Sequence, residues 1–300
     1  MPLGLVTGLG AALSWGTLDL LSALASRRIG SLRVTTGMQI VGAILIALAA
    51  VVTGTRVPTD PFVLIGGALV GLAGAGAYLT YFTGLRIGPI SVVSGVVAAY
   101  GGLTVVLAVV IRGETLNLVQ ALGAAAATIG VVLTGVSFDH GLRGRFASPG
   151  VVFAVVSLVL FSTMSIGSDI VIDRAPWLEV LLVSRLSNAA LSILVLVIAS
   201  TVLRRRASAL IEGTDGAVDG RATRRVIAAV VLSGVLDSAG LMSFAYGLEH
   251  AQTWLVSLAS SFGPAVTIVA AVAFLGERLR PIQWLGLGGI LVGMIAIAFP

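Results

Sequence analysis

Long apolar stretches, separated by short polar or Pro- and Gly-containing connections, fill almost the whole chain. A helix needs about 20 residues to cross about 30 Å of hydrocarbon. Ten stretches reach this length, and each is predicted to be one membrane-spanning helix, so the predicted fold class is an all-α integral membrane protein with ten transmembrane helices. The predicted spans are residues 3–26, 32–53, 62–84, 89–111, 115–136, 149–172, 177–202, 225–248, 251–275 and 281–299.

The second half of the chain repeats the first at a constant offset of 163 residues, without a gap, from 84–136 to 247–299. Gly113-Glu114, for example, returns as Gly276-Glu277. Because each copy holds five predicted spans, an odd number, the second copy is expected to enter the bilayer upside down relative to the first. Inverted repeats with a site between them are typical of secondary transporters. The two predicted units are residues 1–140 and 141–300.

Composition agrees with a protein that lies in lipid. Hydrophobic residues make up 57% of the chain, charged residues 10%, and the mean hydropathy is +1.09, which leaves too little polar surface for a water-soluble globule. The net charge of +5 comes from eighteen arginines without any lysine. These arginines cluster in short connections and form no basic stripe with interleaved aromatic residues, so the expected partner is the bilayer and not a nucleic acid.

The distribution of arginine also predicts an orientation. The odd-numbered connections carry most of the arginines, including Arg27-Arg28 and Arg204 to Arg206. Positively charged connections stay in the cytoplasm. This bias places both chain termini on the outer face.

Charged side chains inside the predicted spans are few, and each costs a few kcal/mol on insertion scales, roughly 2.5–3.5 for Arg or Asp at the helix centre. They are Asp19, Asp169, Arg185 and Asp237. A lone arginine among three carboxylates predicts an ion pair, with Asp237 or Asp169 as the partner, beside a hydrated cavity. Asp237, near mid-span, is predicted to serve the solute or a coupled proton. The alternative is a structural pair that fixes how the helices face one another.

Other polar and aromatic residues at membrane depth complete a predicted substrate site. A solute path needs donors, acceptors and ring faces. Hydrogen bonds between helices or anchoring at the interface are the alternative role for each of them. The predicted site residues are Trp15, Asp19, Gln39, Tyr78, Tyr81, Tyr100, Arg185, Asn188, Asp237 and Tyr246.

Helix-weakening residues stand at matched positions of the two repeats. Gly101-Gly102 in the fourth span corresponds to Pro264-Ala265 in the ninth, where Gly263 precedes the proline. Proline removes an intrahelical hydrogen bond and paired glycines favour kinks. Matched interruptions point to the moving parts and the binding site of a transporter. Gly101, Gly102, Gly263 and Pro264 are therefore predicted hinge residues, with a static kink as the alternative.

Residues near span ends receive structural roles. Glu114 and Glu277 follow glycines at the start of the fifth and tenth spans, where a carboxylate complements the partial charge of its own helix N-terminus. Trp177, Trp254 and Trp284 are predicted to lie in the aromatic belts at the membrane surfaces.

The inventory of reactive side chains predicts that the chain is not an enzyme. Cysteine and lysine are absent, and both histidines, His140 and His250, lie in or beside connections. No nucleophile with a base and no group of metal ligands can be placed at one depth. No cofactor and no metal site is expected.

The chain resembles the EamA family of the drug/metabolite transporter superfamily. The resemblance rests on the two-repeat plan, on Leu13-Ser14-Trp15-Gly16, and on the junctions 112–116 and 275–279 with the glycines that follow each of them. It extends to Arg185, which matches an arginine that this family often has in the second helix of a repeat, whereas Gln39 stands in the first repeat.

The resemblance implies alternating-access transport of small polar metabolites such as amino acids, often outward, through a central cavity between the repeats. It also implies a multi-pass protein of the bacterial plasma (inner) membrane, and cytoplasmic termini, opposite to the orientation that the arginines predict. The rival functions are a passive channel, which favours a continuous polar stripe, and a membrane scaffold, which needs no intramembrane charges.

Overall fold

The computed structural model describes residues 2–88, 90–135, 149–201, 220–263, 265–266 and 281–298. Every regular element in these ranges is an α-helix, so the all-α prediction is confirmed for the part of the chain that is described. The helices are α1 (Pro2–Ile29), α2 (Ser31–Thr53), α3 (Pro61–Ile87), α4 (Ile90–Ala98), α5 (Tyr100–Arg112), α6 (Leu118–Gly135), α7 (Pro149–Ile172), α8 (Trp177–Thr201), α9 (Gly220–His250), α10 (Thr253–Ser260) and α11 (Pro281–Ala298).

Seven segments within the described ranges are long and apolar enough to cross a membrane. One of them, Val93–Arg112, contains most of α4 and the whole of α5. The fourth predicted span is thus two consecutive helices, where the sequence predicted one. Two further apolar helices, Leu118–Leu133 and Trp284–Ile297, are shorter.

Short connections are shaped by residues that suit tight turns. Gly54 and Gly113 end α2 and α5 in the left-handed conformation, with φ of 68° and 67°, which glycine adopts without steric cost. Asp60 begins α3, where its side chain accepts a hydrogen bond from the Phe62 amide at 2.9 Å. Such a cap stabilises the first turn of the helix. Consecutive helices can therefore turn back on each other within a few residues.

The last helices of the two halves, α6 and α11, pack on each other through glycine. A Cβ atom at Gly123 would lie 2.9 Å from the Gly293 carbonyl oxygen, and one at Gly130 would lie 2.7 Å from that of Gly286. The contacts run in opposite order along the two helices, so α6 and α11 are antiparallel. The offset of 163 makes Gly123 equivalent to Gly286 and Gly130 equivalent to Gly293. Equivalent helices of the two halves therefore pack on each other about a local two-fold relation.

A second pair of contacts repeats the same relation. Gly71 of α3 packs on Ser184 and Ser187 of α8, while Gly234 of α9 packs on Met38 and Val41 of α2. Gly71 and Gly234 are 163 residues apart. The second helices of the two halves correspond at an offset of 146 residues. At this offset Met38 is equivalent to Ser184, Val41 to Ser187 and Gln39 to Arg185. Each half thus places its second helix against the third helix of the other half.

The predicted matched interruptions are present, but they lie slightly earlier than predicted. Ala99 separates α4 from α5, and α10 ends at Ser260 with a turn over the next two residues. Gly101 and Gly102 lie in the first turn of α5, where the reason for glycine is close packing. A Cβ atom at Gly101 would lie 2.7 Å from the Ser261 Cβ, and one at Gly102 would contact Thr128. Pro264 lies outside the described residues.

We expect Gly130→Ala to destabilise the protein, because its Cβ would lie 2.7 Å from the Gly286 carbonyl oxygen and the Ile290 nitrogen. Overpacking of this kind costs about 1–3 kcal/mol. Gly288→Ala in α11 is the matched control, since a Cβ there meets nothing within 4 Å. The measurement is the thermal midpoint of each purified variant in detergent. Equal midpoints for the two variants would contradict the close crossing of α6 and α11.

Candidate functional site

An ionic network lies in the centre of the bundle. Arg185 of α8 forms a salt bridge with Asp237 of α9 and donates a hydrogen bond to the Gln39 side-chain oxygen of α2. Tyr78 of α3 donates its hydroxyl hydrogen to the other carboxylate oxygen of Asp237. All four side chains are buried. Because they come from four helices and from both halves, this network fixes how the halves meet.

The network needs open space beside Arg185, and glycine supplies it. A Cβ atom at Gly42 would lie 2.5–2.7 Å from the guanidinium atoms of Arg185. Buried Arg185 Nε and Gln39 Nε2 have no hydrogen-bond partner among the described residues. Buried donors are normally satisfied. The network therefore contains two buried donors that no described residue satisfies.

The partner of Arg185 is Asp237 and not Asp169, the other carboxylate that the sequence allowed. Asp169 accepts from Arg112 Nε at 2.5 Å, and Arg112 also contacts Asp173 at 2.7 Å. These three residues lie at the ends of α5 and α7. Asp169 thus belongs to a separate ion cluster near one end of the bundle, which we call the Asp173 end.

A cavity of about 60 Å³ lies next to the network, and we call it the Asp19 cavity. The Asp19 carboxylate of α1 accepts a hydrogen bond from the Tyr81 hydroxyl at 2.8 Å. The space suffices for a few water molecules, since one needs about 10–15 Å³. Its lining consists of Trp15, Leu18, Asp19, Tyr78, Tyr81, Ser94, Val97, Ala98, Tyr100, Phe161, Met164, Ser165, Ser260, Ser261 and Gly263.

Aromatic rings form much of the wall of the Asp19 cavity. Phe161 of α7 packs against Tyr78, Tyr81 and Tyr100, with ring centroids 5.1, 6.3 and 5.8 Å away. Trp15 stands on the α9 side, where its indole nitrogen would lie 2.7 Å from a Cβ at Gly240. Sequence reasoning missed Phe161, because an isolated phenylalanine in an apolar span gives no signal of which neighbours it meets.

A second, smaller cavity of about 30 Å³ is also lined by Tyr78, and we call it the Asn188 cavity. Arg185, Asn188 and Ser184 contribute to its lining together with Trp177 from the Asp173 end. Asn188 is buried, and a Cβ at Gly74 would lie 3.0 Å from its Nδ2. Tyr78 and Met164 line both cavities. The two spaces therefore meet at Tyr78.

Glu114 has a different role from the predicted one. Its two carboxylate oxygens accept hydrogen bonds from the Thr253 and Trp254 amides, at 2.8 and 3.0 Å. It thus caps α10 of the second half instead of its own helix, since the chain turns at Gly113 and carries Glu114 to the free amides of α10. Trp254 is also buried and not in a surface belt. Glu277 lies outside the described residues.

Tyr246 does not join the other predicted site residues. It is 39% exposed, stacks on His250 at 4.2 Å and meets the edge of Trp177 at 6.0 Å. These residues lie near the Asp173 end, about one helical turn from where α9 ends. The depth along the helix suggested a site residue, but the rotation of α9 turns this ring outward. The other nine predicted substrate-site residues all belong to the ionic network or line one of the two cavities.

Comparison with known proteins identifies this arrangement. The model of the EamA-like transporter family matches residues 2–136 and again residues 148–299. The chain belongs to the EamA-like transporter family. Its two matched segments confirm two repeats, and together with the apolar helices they make it a multi-pass membrane protein of the drug/metabolite transporter superfamily. Members of this EamA-like family are membrane transporters.

Two individual proteins are similar to this EamA-like chain, one in fold over nearly its whole length and one in sequence over a quarter of it. A solved structure titled "Crystal structure of protein" matches with a TM-score of 0.77, covering 98% of this chain and 96% of the other at 21% identity. "Uncharacterized protein MJ1333.1" of Methanocaldococcus jannaschii is 29% identical over 75 residues, 25% of this chain. The chain spans 55% of the length of that relative.

Removing one member of the Arg185 and Asp237 pair leaves the other charge buried without a partner, which costs about 3–5 kcal/mol. We expect Arg185→Gln and Asp237→Asn each to lower the thermal midpoint in detergent. The double variant should lose less than the sum of the two single losses, because it leaves no unpaired charge. Strictly additive losses would mean that the two side chains do not interact.

Proposed function

We propose that this chain is a ten-span secondary transporter that moves small polar metabolites, amino acids or similar compounds, by alternating access. Its two five-helix repeats, 1–140 and 141–300, are inverted, its direction is export, and it acts in the plasma (inner) membrane of a bacterium. The observation that carries the proposal is the buried Arg185 and Asp237 pair beside a cavity between the two halves.

The inverted arrangement is supported by the antiparallel crossing of α6 and α11. These helices are equivalent in the two repeats, so their opposite directions mean opposite insertion of the repeats. The paired interruptions at Ala99 and after Ser260 support it too, since discontinuous helices at matched positions surround the site in such transporters. Gly101, Gly102, Gly263 and Pro264, which follow these interruptions, are the proposed hinges.

Alternating access accounts for the separation of the two cavities better than a channel does. Tyr78, held by Asp237, stands where the Asp19 cavity and the Asn188 cavity meet. A passive channel requires a continuous path, whereas a carrier holds its solute in a closed space. Opening towards the Asp173 end would also require Arg112 to release Asp169 and Asp173. A scaffold does not need buried charges, which are costly in a membrane.

The proposed substrate-binding residues are those of the network and the cavity walls. Asp237 is the proposed carrier of a coupled proton, because its carboxylate could exchange the Arg185 contact for a proton in another state of the cycle. The binding residues are Trp15, Asp19, Gln39, Tyr78, Tyr81, Tyr100, Arg185, Asn188 and Asp237.

The experiment that tests transport is counterflow in liposomes that contain the purified full chain. Liposomes loaded with one unlabelled solute from a panel of amino acids, amines, nucleosides and sugars are diluted into a trace of the labelled form. A carrier accumulates label transiently and saturates with solute, whereas a channel only equilibrates it. Equilibration without accumulation, or no flux of any solute, would contradict the proposal.

We expect Asp237→Asn to reduce transport at least about tenfold, equivalent to about 1.4 kcal/mol of barrier. The double variant Arg185→Gln/Asp237→Asn separates transport from folding, because it removes the unpaired charge. It should regain stability but not flux. The measurement is initial uptake in the same liposomes, normalised to inserted protein. Full transport by the double variant would show that the pair is only structural.

A further inference from the structure

We propose that the Asp19 cavity selects compact solutes that carry an ammonium group and no carboxylate, such as small primary amines and quaternary ammonium ions. The inference rests on the proposed transport function, and within the small polar metabolites it names amines in place of amino acids as the class of substrate. It follows from three properties of the cavity: its carboxyl group without a basic partner, its aromatic wall and the direction of most of its hydrogen bonds.

The titratable acid in the cavity wall is Asp19, and it has no basic partner among the described residues. Arg185 is neutralised by Asp237. Asp19 forms no salt bridge within the described residues, and its one hydrogen bond to a described side chain comes from the neutral Tyr81 hydroxyl. The described lining of the cavity contains no arginine and no histidine. A cationic solute would balance the charge of an ionised Asp19, which is otherwise costly in a membrane.

The aromatic wall adds attraction for the same kind of group. Tyr78, Tyr81, Tyr100, Phe161 and Trp15 surround the space next to Asp19. Ring faces carry partial negative charge and attract ammonium ions, most strongly where water is excluded. Several rings around one space are the arrangement by which proteins recognise alkylated ammonium groups.

Three serine hydroxyl groups of the wall offer lone pairs and not hydrogens. Ser165, Ser260 and Ser261 donate to the carbonyl oxygens of Phe161, Ser257 and Leu258, at 3.0, 2.9 and 2.7 Å. These hydroxyl oxygens can therefore accept further hydrogen bonds, but their hydrogens are already engaged.

The hydroxyl hydrogens of the three tyrosines are also donated to acceptors within the protein. Tyr81 donates to Asp19 and Tyr78 donates to Asp237. Tyr100 contacts the Ser260 oxygen at 2.7 Å, and since the Ser260 hydrogen goes to a carbonyl, Tyr100 is the donor there. The exception is the Trp15 indole nitrogen, a neutral donor without a partner among the described residues. The acceptors of the wall outnumber it and suit the N–H groups of an amine, whereas the carboxylate of an amino acid would meet mostly lone pairs and, at Asp19, a second carboxyl group.

The test compares pairs of solutes that differ by a carboxylate. In liposomes containing the full chain, ethanolamine should be taken up at least about tenfold faster than serine, and choline faster than glycine betaine by a similar factor. Faster or equal uptake of serine and glycine betaine would overturn the inference while leaving transport itself intact. Absence of flux for every solute of the wider panel would instead overturn the transport function, and this inference with it.

Asp19→Asn keeps the size of the side chain and removes its charge, and it should abolish the preference for ethanolamine and choline. Asp60→Asn is the matched control: Asp60 caps α3 outside the cavity, and asparagine caps a helix equally well. Asp19→Glu, which retains the charge, should keep the preference.

In detergent, choline should raise the thermal midpoint of the wild type and of Asp60→Asn but not of Asp19→Asn. Equal stabilisation of all three by choline would contradict the role of Asp19.

Discussion

A guanidinium in the centre of a membrane protein must find an opposite charge, and the arrangement of this bundle depends on that requirement. Arg185 takes Asp237 as its counter-charge and Gln39 as an acceptor, and it occupies the space that Gly42 leaves open. Asp237 in turn holds Tyr78. An unpaired buried charge would cost several kcal/mol, so the second and seventh predicted spans cannot slide past the third and eighth without loss. Apolar helices in lipid have no comparable reason to choose one rotation over another, because lipid offers the same apolar surroundings on every side.

The two halves share a backbone plan but divide the chemistry unequally. Where the second half has Arg185 and Asp237, the corresponding positions of the first half are Gln39 and Gly74. Where the first half has Tyr78 and Tyr81, the second has Leu241 and Phe244. The repeated sequence therefore explains the crossing helices and the matched interruptions. The side chains in which the two halves differ form the candidate site. Two identical halves would place two arginines and two carboxylates at the centre. In this chain the network instead contains the Arg185 and Asp237 pair, with Asp19 in the cavity beside it.

The sequence predicted well at which depth of the membrane each residue lies, and poorly which way its side chain points. This difference has a physical cause. A run of apolar residues shows where a helix crosses the membrane, because hydrocarbon excludes polar groups from that depth. It does not show which way each side chain points, since lipid and a helix neighbour both accept apolar residues. For this reason the partner of Arg185 stayed open between Asp237 and Asp169, and Tyr246 was expected in a cavity although it points outward. Glu114 was expected to cap its own helix, because no local pattern reveals that α10 lies close enough to offer its amides.

Tyr78 connects the stability of the observed arrangement to the proposed path of the solute. It lines both cavities and donates its hydroxyl hydrogen to Asp237, which also holds Arg185. A movement of Tyr78 large enough to join the cavities therefore withdraws a hydrogen bond from the buried carboxylate. That loss disfavours an open path unless another group replaces the bond, and a bound solute or a proton on Asp237 is such a group. In the proposed cycle, the connection between the two sides consequently depends on occupancy of the site, which is the property that distinguishes a carrier from a leak.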